Sequence, residues 1–595
     1  MLILAGITTL SYVVELEAGM AQETTTSELM EIEAPEADIA AELGTFESLP
    51  QTGASVSIAQ KTPLAEVHVM AMDVAEATIG AQIADIPRSV FGQQYDDGGV
   101  QVVADEAYRF RTMGSVEQAV DGVVTEIHGR LRQGNLLVLW LFDASNSLKE
   151  DRTQASQYLK PLLADLEKVA GPYEVQHSAV AYGSQHRQVA SLTADSERLI
   201  RAARNVPSDP SGQETLRDAL GHSVSYYRQK WDSRIMVVVW TDEAGDDLEH
   251  LESAIELCKK ERVAVTVVGA AASFGRRKGQ QGYPTNVFTY YLPVDKGPES
   301  GVPDRVGLPS IRHDGPLPLY HLRSDVVSSG FGPYGLVRLA RETGGSYFVY
   351  DRFYRNFDTK TLAPYVPDYR AVAEIEADVA RHPLRAAVVQ ASRATASLAE
   401  TRLPKTEFYR TETFPFGVIL YSDFRTRLSG DLRQELGHAR AIAATIEQGL
   451  QSLNKEGLEA EHSRERSVRW QAAYDLARGE LLAASVQYRE YTLLVEQLLA
   501  RGLQGPGTNR LLMTRGGPLR SGEWGAQRIK EANRHFARCQ ADHAGTPWAA
   551  QSATIDPDQA GYTWQEQSLT ATRRAGGGGG GGGSAAAGRG ESGNE

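Results

Sequence analysis

Three short stretches of this chain are apolar almost throughout: Asn135 to Phe142 (NLLVLWLF), Arg234 to Trp240 (RIMVVVW) and Val263 to Gly269 (VAVTVVG). Runs of that length without alternation are what strands covered on both faces show. Between them the apolar spacing becomes helical, over Lys149 to Val169, Ser196 to Arg204, Glu214 to Gln229 and Leu248 to Lys260. Strand-like sequence stands at Tyr173 to Tyr182 and Val189 to Thr193, and a helix at Tyr334 to Glu342 with a short strand at Ser346 to Tyr350 closes the series. Strands alternating with helices predict an α/β unit over residues 134–355, with a doubly wound, mostly parallel sheet and helices on both faces.

Inside this unit, residues 272–332 form a Gly- and Pro-rich insertion, too long for a plain connection, and such loops are more often functional than accidental. Its His313, Asp314 and His321 are candidate metal ligands, against the plainer reading of a solvated loop. Upstream, residues 105–133 carry helical spacing and predict a helix acting as a lid or spacer. Downstream, residues 356–422 read as a mixed connector, 423–500 as a coiled-coil-like helical hairpin broken near Asn454 to Gly457, and 501–575 as mixed helical sequence. The mainly helical C-terminal region ends in a Gly-rich tail, residues 576–595, expected to be disordered.

Residues 15–104 open with Glu15 to Gln60, a segment with many Glu and Asp and no Lys or Arg, and predict a largely disordered acidic linker. Met1 to Val14 is apolar but shorter than the ~20 residues a membrane-crossing helix needs. It reads either as the remnant of a membrane or export segment whose start lies further upstream, and so as a membrane tether, or as an apolar stretch that packs on a domain. A net charge of -15 argues against nucleic acid as a partner, because phosphate binding needs clustered Lys and Arg. Cys258 and Cys539 are the two cysteines, far apart in sequence, so neither a disulfide framework nor a CxxC-type metal site is built from them.

The residues that carry chemistry should sit just beyond the carboxyl ends of parallel strands. There the first apolar strand gives Asp143-Ala-Ser145-Asn-Ser147, one carboxylate and two hydroxyls in a single loop. The strand at 234–240 delivers Asp242, and Ser211-Gly-Gln-Glu214-Thr215 supplies another oxygen just ahead of a helix. Hard oxygen donors drawn from separate loops suit a magnesium-like ion. The competing reading is that Asp143 caps the next helix and the serines satisfy backbone donors without a metal. Asp246 and Asp247 read as solvated or capping residues.

Taken in order, FDASNS, SGQETLRDAL, VVVWTDEAGDD and LARETGGSYF resemble the landmarks of a von Willebrand factor type A domain, a Rossmann-like fold, with its metal-ion-dependent adhesion site. The resemblance covers about 220 residues and implies that Asp143, Ser145 and Ser147 bind the ion, with Asp242 joining through water. Where the family usually has a metal-binding Thr, an ungapped alignment puts Glu214, and a one-residue shift puts Thr215. A Glu there adds negative charge and weakens the ion's pull on an acidic ligand. The resemblance implies a non-catalytic protein-interaction or adhesion module. It would bind Mg²⁺, or Mn²⁺ or Ca²⁺, and capture an acidic side chain of a protein partner. The expected place is outside the cytoplasm, membrane-anchored or secreted. The alternatives are a metal-free scaffold working through its C-terminal helices and a metal-dependent hydrolase, although the chain holds no G-x-x-x-x-G-K-[ST], G-x-S-x-G or H-E-x-x-H.

Overall fold

The computed structural model describes residues 110–169, 171–284, 289–309, 327–350, 357–409, 412–413, 419–420 and 424–568. The expectations for residues 1–14, 15–104 and 576–595, and for His313, Asp314 and His321, lie outside the described residues.

The α/β unit runs β1 (Phe110–Thr112), α1 (Val116–Leu131), β2 (Leu136–Asp143), α2 (Lys149–Val169), β3 (Val175–Tyr182), β4 (His186–Thr193), α3 (Ser196–Arg204), α4 (Leu216–Arg228), β5 (Arg234–Thr241), α5 (Leu251–Lys260), β6 (Val263–Gly269), then β7 (Lys278–Pro284), β8 (Thr289–Asp295), α6 (Tyr334–Glu342) and β9 (Tyr347–Val349). Seven strands form one sheet in the order β1-β9-β6-β5-β2-β3-β4. All neighbours are parallel except β3 and β4, which are antiparallel. Every residue of β2 is buried, and its alternate positions feed two layers. Leu136, Val138, Trp140 and Phe142 pack with α1, α2 and α3, while Leu137, Leu139 and Leu141 join the core that contains α4, α5 and α6. Two covered faces explain why the strand is apolar without alternation.

The unit begins earlier than residue 134. Within the helix expected over 105–133, the described residues form β1 followed by α1, both part of the α/β unit. Ser115 holds an extended backbone and its hydroxyl accepts the Gln118 N–H at 3.2 Å, so the helix starts at Val116. The residues before this cap are left to pair with β9. Val120, Val123, Val124, Ile127 and Leu131 are fully buried, each contributing about 1.5–3 kcal/mol of apolar burial.

The C-terminal region comprises α7 (Val372–Arg381), α8 (Pro383–Thr395), α9 (Phe424–Leu453), α10 (Leu458–Arg464), α11 (Val468–Arg501), α12 (Glu523–Asp542) and α13 (Pro547–Ser552). A three-stranded antiparallel sheet, β10 (Glu407–Tyr409), β11 (Arg510–Arg515) and β12 (Tyr562–Gln567), lies beside them. α11 packs against α8, α9, α12 and α13 and is buried on several sides, as a bundle's central helix is.

The described residues of the insertion pack into the fold. β7 and β8 form an antiparallel hairpin, and residues 296–309 then reach the helices. There Arg469 of α11 meets Glu299 (3.0 Å) and Asp304 (2.6 Å), and Phe274 stacks edge-on against Trp548 at 4.9 Å. One apolar core runs from the sheet through this contact into the bundle.

Candidate metal centre

β2 ends at Asp143, which is fully buried, and the chain turns through a short 3₁₀ segment, Asn146–Leu148, into α2. The Asp143 Oδ1 accepts the Ser145 N–H at 2.7 Å, and Oδ2 accepts the Thr241 hydroxyl at 3.0 Å. The carboxylate is therefore oriented from its own loop and from β5. The Ser145 and Ser147 hydroxyls lie 2.9 Å apart. Arg152 of α2 donates to the carbonyls of Asp143 (2.5 Å) and Ser145 (3.0 Å), which fixes the backbone of the loop.

β5 delivers Asp242, 9% exposed, at its carboxyl end. The following loop is clasped to the one before α4: Glu214 N–H donates to Asp246 Oδ2 (3.0 Å), and Asp246 N–H to the Glu214 carbonyl (2.8 Å). Asp247 caps α4 by accepting from the backbone of Arg217 (2.6 Å) and Asp218 (2.9 Å). Gly245, at φ +80°, lets the loop turn where a Cβ would come within 2.7 Å of the Arg217 guanidinium. Asp247 thus acts as a capping residue, and Asp246 ties the two loops together.

Glu214 is 4% exposed, and its Oε2 has no hydrogen-bond partner. The Thr215 hydroxyl instead donates to the Gly183 carbonyl at 2.9 Å. Hydrogen bonds join Asp143, Ser145 and Ser147, the carboxylates of Asp242 and Glu214 stand near enough to Asp143 to repel it, and the Thr215 hydroxyl is committed to a backbone carbonyl. Sequence reasoning missed Glu243, whose Oε2 accepts the Asp295 N–H at 3.2 Å. The signal available was its place directly after Asp242, in a TDE string.

Packing these carboxylates together is electrostatically unfavourable. Burial, then repulsion from Asp242, pushes Asp143 up to about 7. Burial, then Asp242 and Asp143, pushes Glu243 up to about 8. Glu214 is raised well above the carboxylate range by burial first and by Asp143, Glu243, Asp242 and Asp246 after it. Buried like charges favour taking up protons or a cation. An orphaned buried carboxylate oxygen beside a set of carboxylates and hydroxyls fits a hard divalent cation, which prefers oxygen donors. Among the described residues, the group of three His, Cys, Asp or Glu side chains whose ligand atoms all lie within 4.8 Å of one another is Asp218, Asp247 and His250, and not Asp143, Asp242 and Glu214; in that group Asp247 Oδ1 already pairs with Arg217 at 3.1 Å.

A doubly wound, mostly parallel sheet with helices on both faces defines the class of this unit as an open α/β fold. The von Willebrand factor type A domain model matches residues 138–284, and this part of the chain is such a domain. Among curated proteins, none matches the chain. Similar solved structures include the SpRpn10 VWA domain, 12% identical, covering 23% of this chain and 75% of that one with a TM-score of 0.19. Another is proximal thread matrix protein 1 from the mussel byssus with a zinc-occupied MIDAS motif, 19% identical, covering 23% of this chain and 36% of that one with a TM-score of 0.21. A third is the conserved hypothetical protein BatB from Bacteroides thetaiotaomicron, 12% identical, covering 42% of this chain and 98% of that one with a TM-score of 0.24.

Proposed function

We propose that the domain is a non-catalytic, metal-dependent protein-interaction module, with Asp143, Ser145, Ser147, Asp242 and Glu214 holding Mg²⁺ or a similar divalent ion. The observation that carries this reading is the unbonded Oε2 of buried Glu214 among acidic neighbours. A bound divalent cation supplies an electrophilic position that a carboxylate can complete. The chain's own residues orient it: Thr241 and the Ser145 amide hold Asp143, and Asp246 holds the Glu214 backbone. Thr215 supports the site by anchoring the start of α4 to Gly183.

The partner's contribution is an acidic side chain. Glu214 and Glu243 add negative charge around the ion, so the attraction for that side chain is muted and the complex is of modest affinity. We read the protein as working outside the cytoplasm, with residues 15–104 as an acidic tether. Among the described residues no helix is long and apolar enough to cross a membrane.

The test uses the full chain loaded with Mn²⁺ and titrated with acetate, reading water proton relaxation. Saturable displacement of Mn²⁺-bound water by acetate, abolished in Asp143→Ala, supports the module. Metal binding with no response to acetate up to molar concentrations overturns the acidic-partner reading. No metal binding at all leaves the scaffold function of the C-terminal helices as the better account.

A further inference from the structure

Away from the metal centre, a cavity of about 610 Å³ lies where the insertion meets the helices and the small sheet. That volume is within the range of small-molecule sites, roughly 300–1,000 Å³. Its walls include Tyr488 and Tyr491 of α11, Met513 of β11 and Tyr562 of β12, all buried. Polar groups stand at Glu480 of α11 and Gln551 of α13, 2% and 4% exposed.

These two polar groups are half satisfied. Glu480 Oε1 accepts from Gln551 Nε2 at 3.3 Å and from Arg305 at 3.5 Å. Glu480 Oε2 and Gln551 Oε1 have no hydrogen-bond partner. Each buried acceptor left without a donor costs about 1–3 kcal/mol; both atoms are closed to solvent in this structure, so a ligand donor relieves that cost by reaching them through a small shift of the two side chains. Burial lifts the Glu480 carboxyl above its ordinary range, while Arg305 and Arg276 draw it back. With two guanidinium groups already facing that carboxylate, a cationic occupant would be repelled. A neutral one is not.

We propose that this cavity binds a small uncharged molecule with an N–H donor head, of the primary-carboxamide or ring-amide class, on an aromatic or other apolar body. The donor head meets Glu480 Oε2 and Gln551 Oε1, and the body lies among the tyrosines and Met513. Flat π faces on the ligand suit walls of this kind. Because the cavity draws lining residues from the insertion (Arg276, Leu308) as well as from α11 and β12, the ligand would touch both parts of the molecule.

The experiment is fluorine NMR on the full chain with 4-fluorobenzamide and 5-fluorouracil as probes, and 4-fluorobenzoate and 4-fluorotoluene as controls. At least one amide probe binds saturably and at least about tenfold more tightly than either control, the ratio one well-made hydrogen bond supplies. Ala484→Trp fills the cavity and abolishes that binding. Gln551→Leu removes one acceptor and erases the preference for amides. A thermal melt within a few degrees of wild type shows that each variant is folded. Absence of saturable amide binding, equal binding of amide and control, or unchanged binding by folded Ala484→Trp each overturns the proposal.

Discussion

Arg469→Met removes the one guanidinium through which α11 grips the insertion at Glu299 and Asp304. Arg469 is 4% exposed and donates to Asp304 Oδ2 (2.8 Å), Glu299 Oε1 (3.0 Å) and the Tyr365 carbonyl (3.2 Å). Glu299 is fully buried and Asp304 3% exposed, so the substitution leaves two carboxylates in a desolvated place with their cation gone. Breaking a buried ion pair from one side costs about 3–5 kcal/mol. Glu299 keeps the Gly275 N–H at 2.9 Å, which favours the lower end of that range. Amide hydrogen exchange on peptides covering 296–309 and 468–480 reads the opening of this contact directly. Protection should fall by roughly two to four decades at pH 7, as about 1.4 kcal/mol per decade requires. Burial already raises Glu299, with Arg469 opposing, and without Arg469 its folded-state value rises further above that of the unfolded chain. Acids raised on folding destabilise as pH rises through the folded value, so the defect should shrink when the pH is lowered toward 5. Adding Glu299→Gln and Asp304→Asn to Arg469→Met should recover most of the loss. A loss of less than about one decade at pH 7, with no pH dependence, would refute the reasoning.

Three further outcomes follow from the same geometry. Glu214→Thr should weaken Mn²⁺ binding and strengthen the response of the bound ion to acetate, because one buried carboxylate is removed from the ion's surroundings; relaxation titrations read both. Saturating Mg²⁺ should stabilise the wild-type domain by about 2.7 kcal/mol at a hundredfold excess over the dissociation constant, reversibly with a chelator and not in Asp143→Ala, as a denaturant series would show. Asp475, fully buried, is held well below its ordinary range: burial alone would raise it, but the His462 imidazole 3.2 Å away and hydrogen bonds from His535 and Arg538 overcome this. Its stabilisation is therefore present above the unfolded carboxyl value of about 4 and is lost as the pH falls below it, and Asp475→Asn should cost about 3–5 kcal/mol at pH 7 and flatten the acid limb of stability against pH.

The central strands were legible because burial on both faces writes itself into the residues: LLVLWLFD at β2 leaves no polar position until Asp143. The groups beyond those strands were legible for a related reason, since the end of a buried strand marks where its next residues emerge. Three features were not. β1 is three residues long and has no periodicity to read; it is a strand because Ser115 starts α1 late and β9 offers an edge. Glu243 belongs with the acidic group because an amide from β8, fifty-two positions away, holds its carboxylate there. The insertion's role depends on Arg469 meeting Glu299 and Asp304 across more than 160 residues, and local spacing carries no trace of such a pairing.

The measurement that bears most directly on the metal centre is isothermal calorimetry of Mg²⁺ and Mn²⁺ into the full chain, wild type beside Asp143→Ala and Glu214→Ala. A single saturable site in the wild type, lost in Asp143→Ala and weakened in Glu214→Ala, is the predicted result. Absence of saturable heat in the wild type, or equal binding by all three proteins, would contradict it.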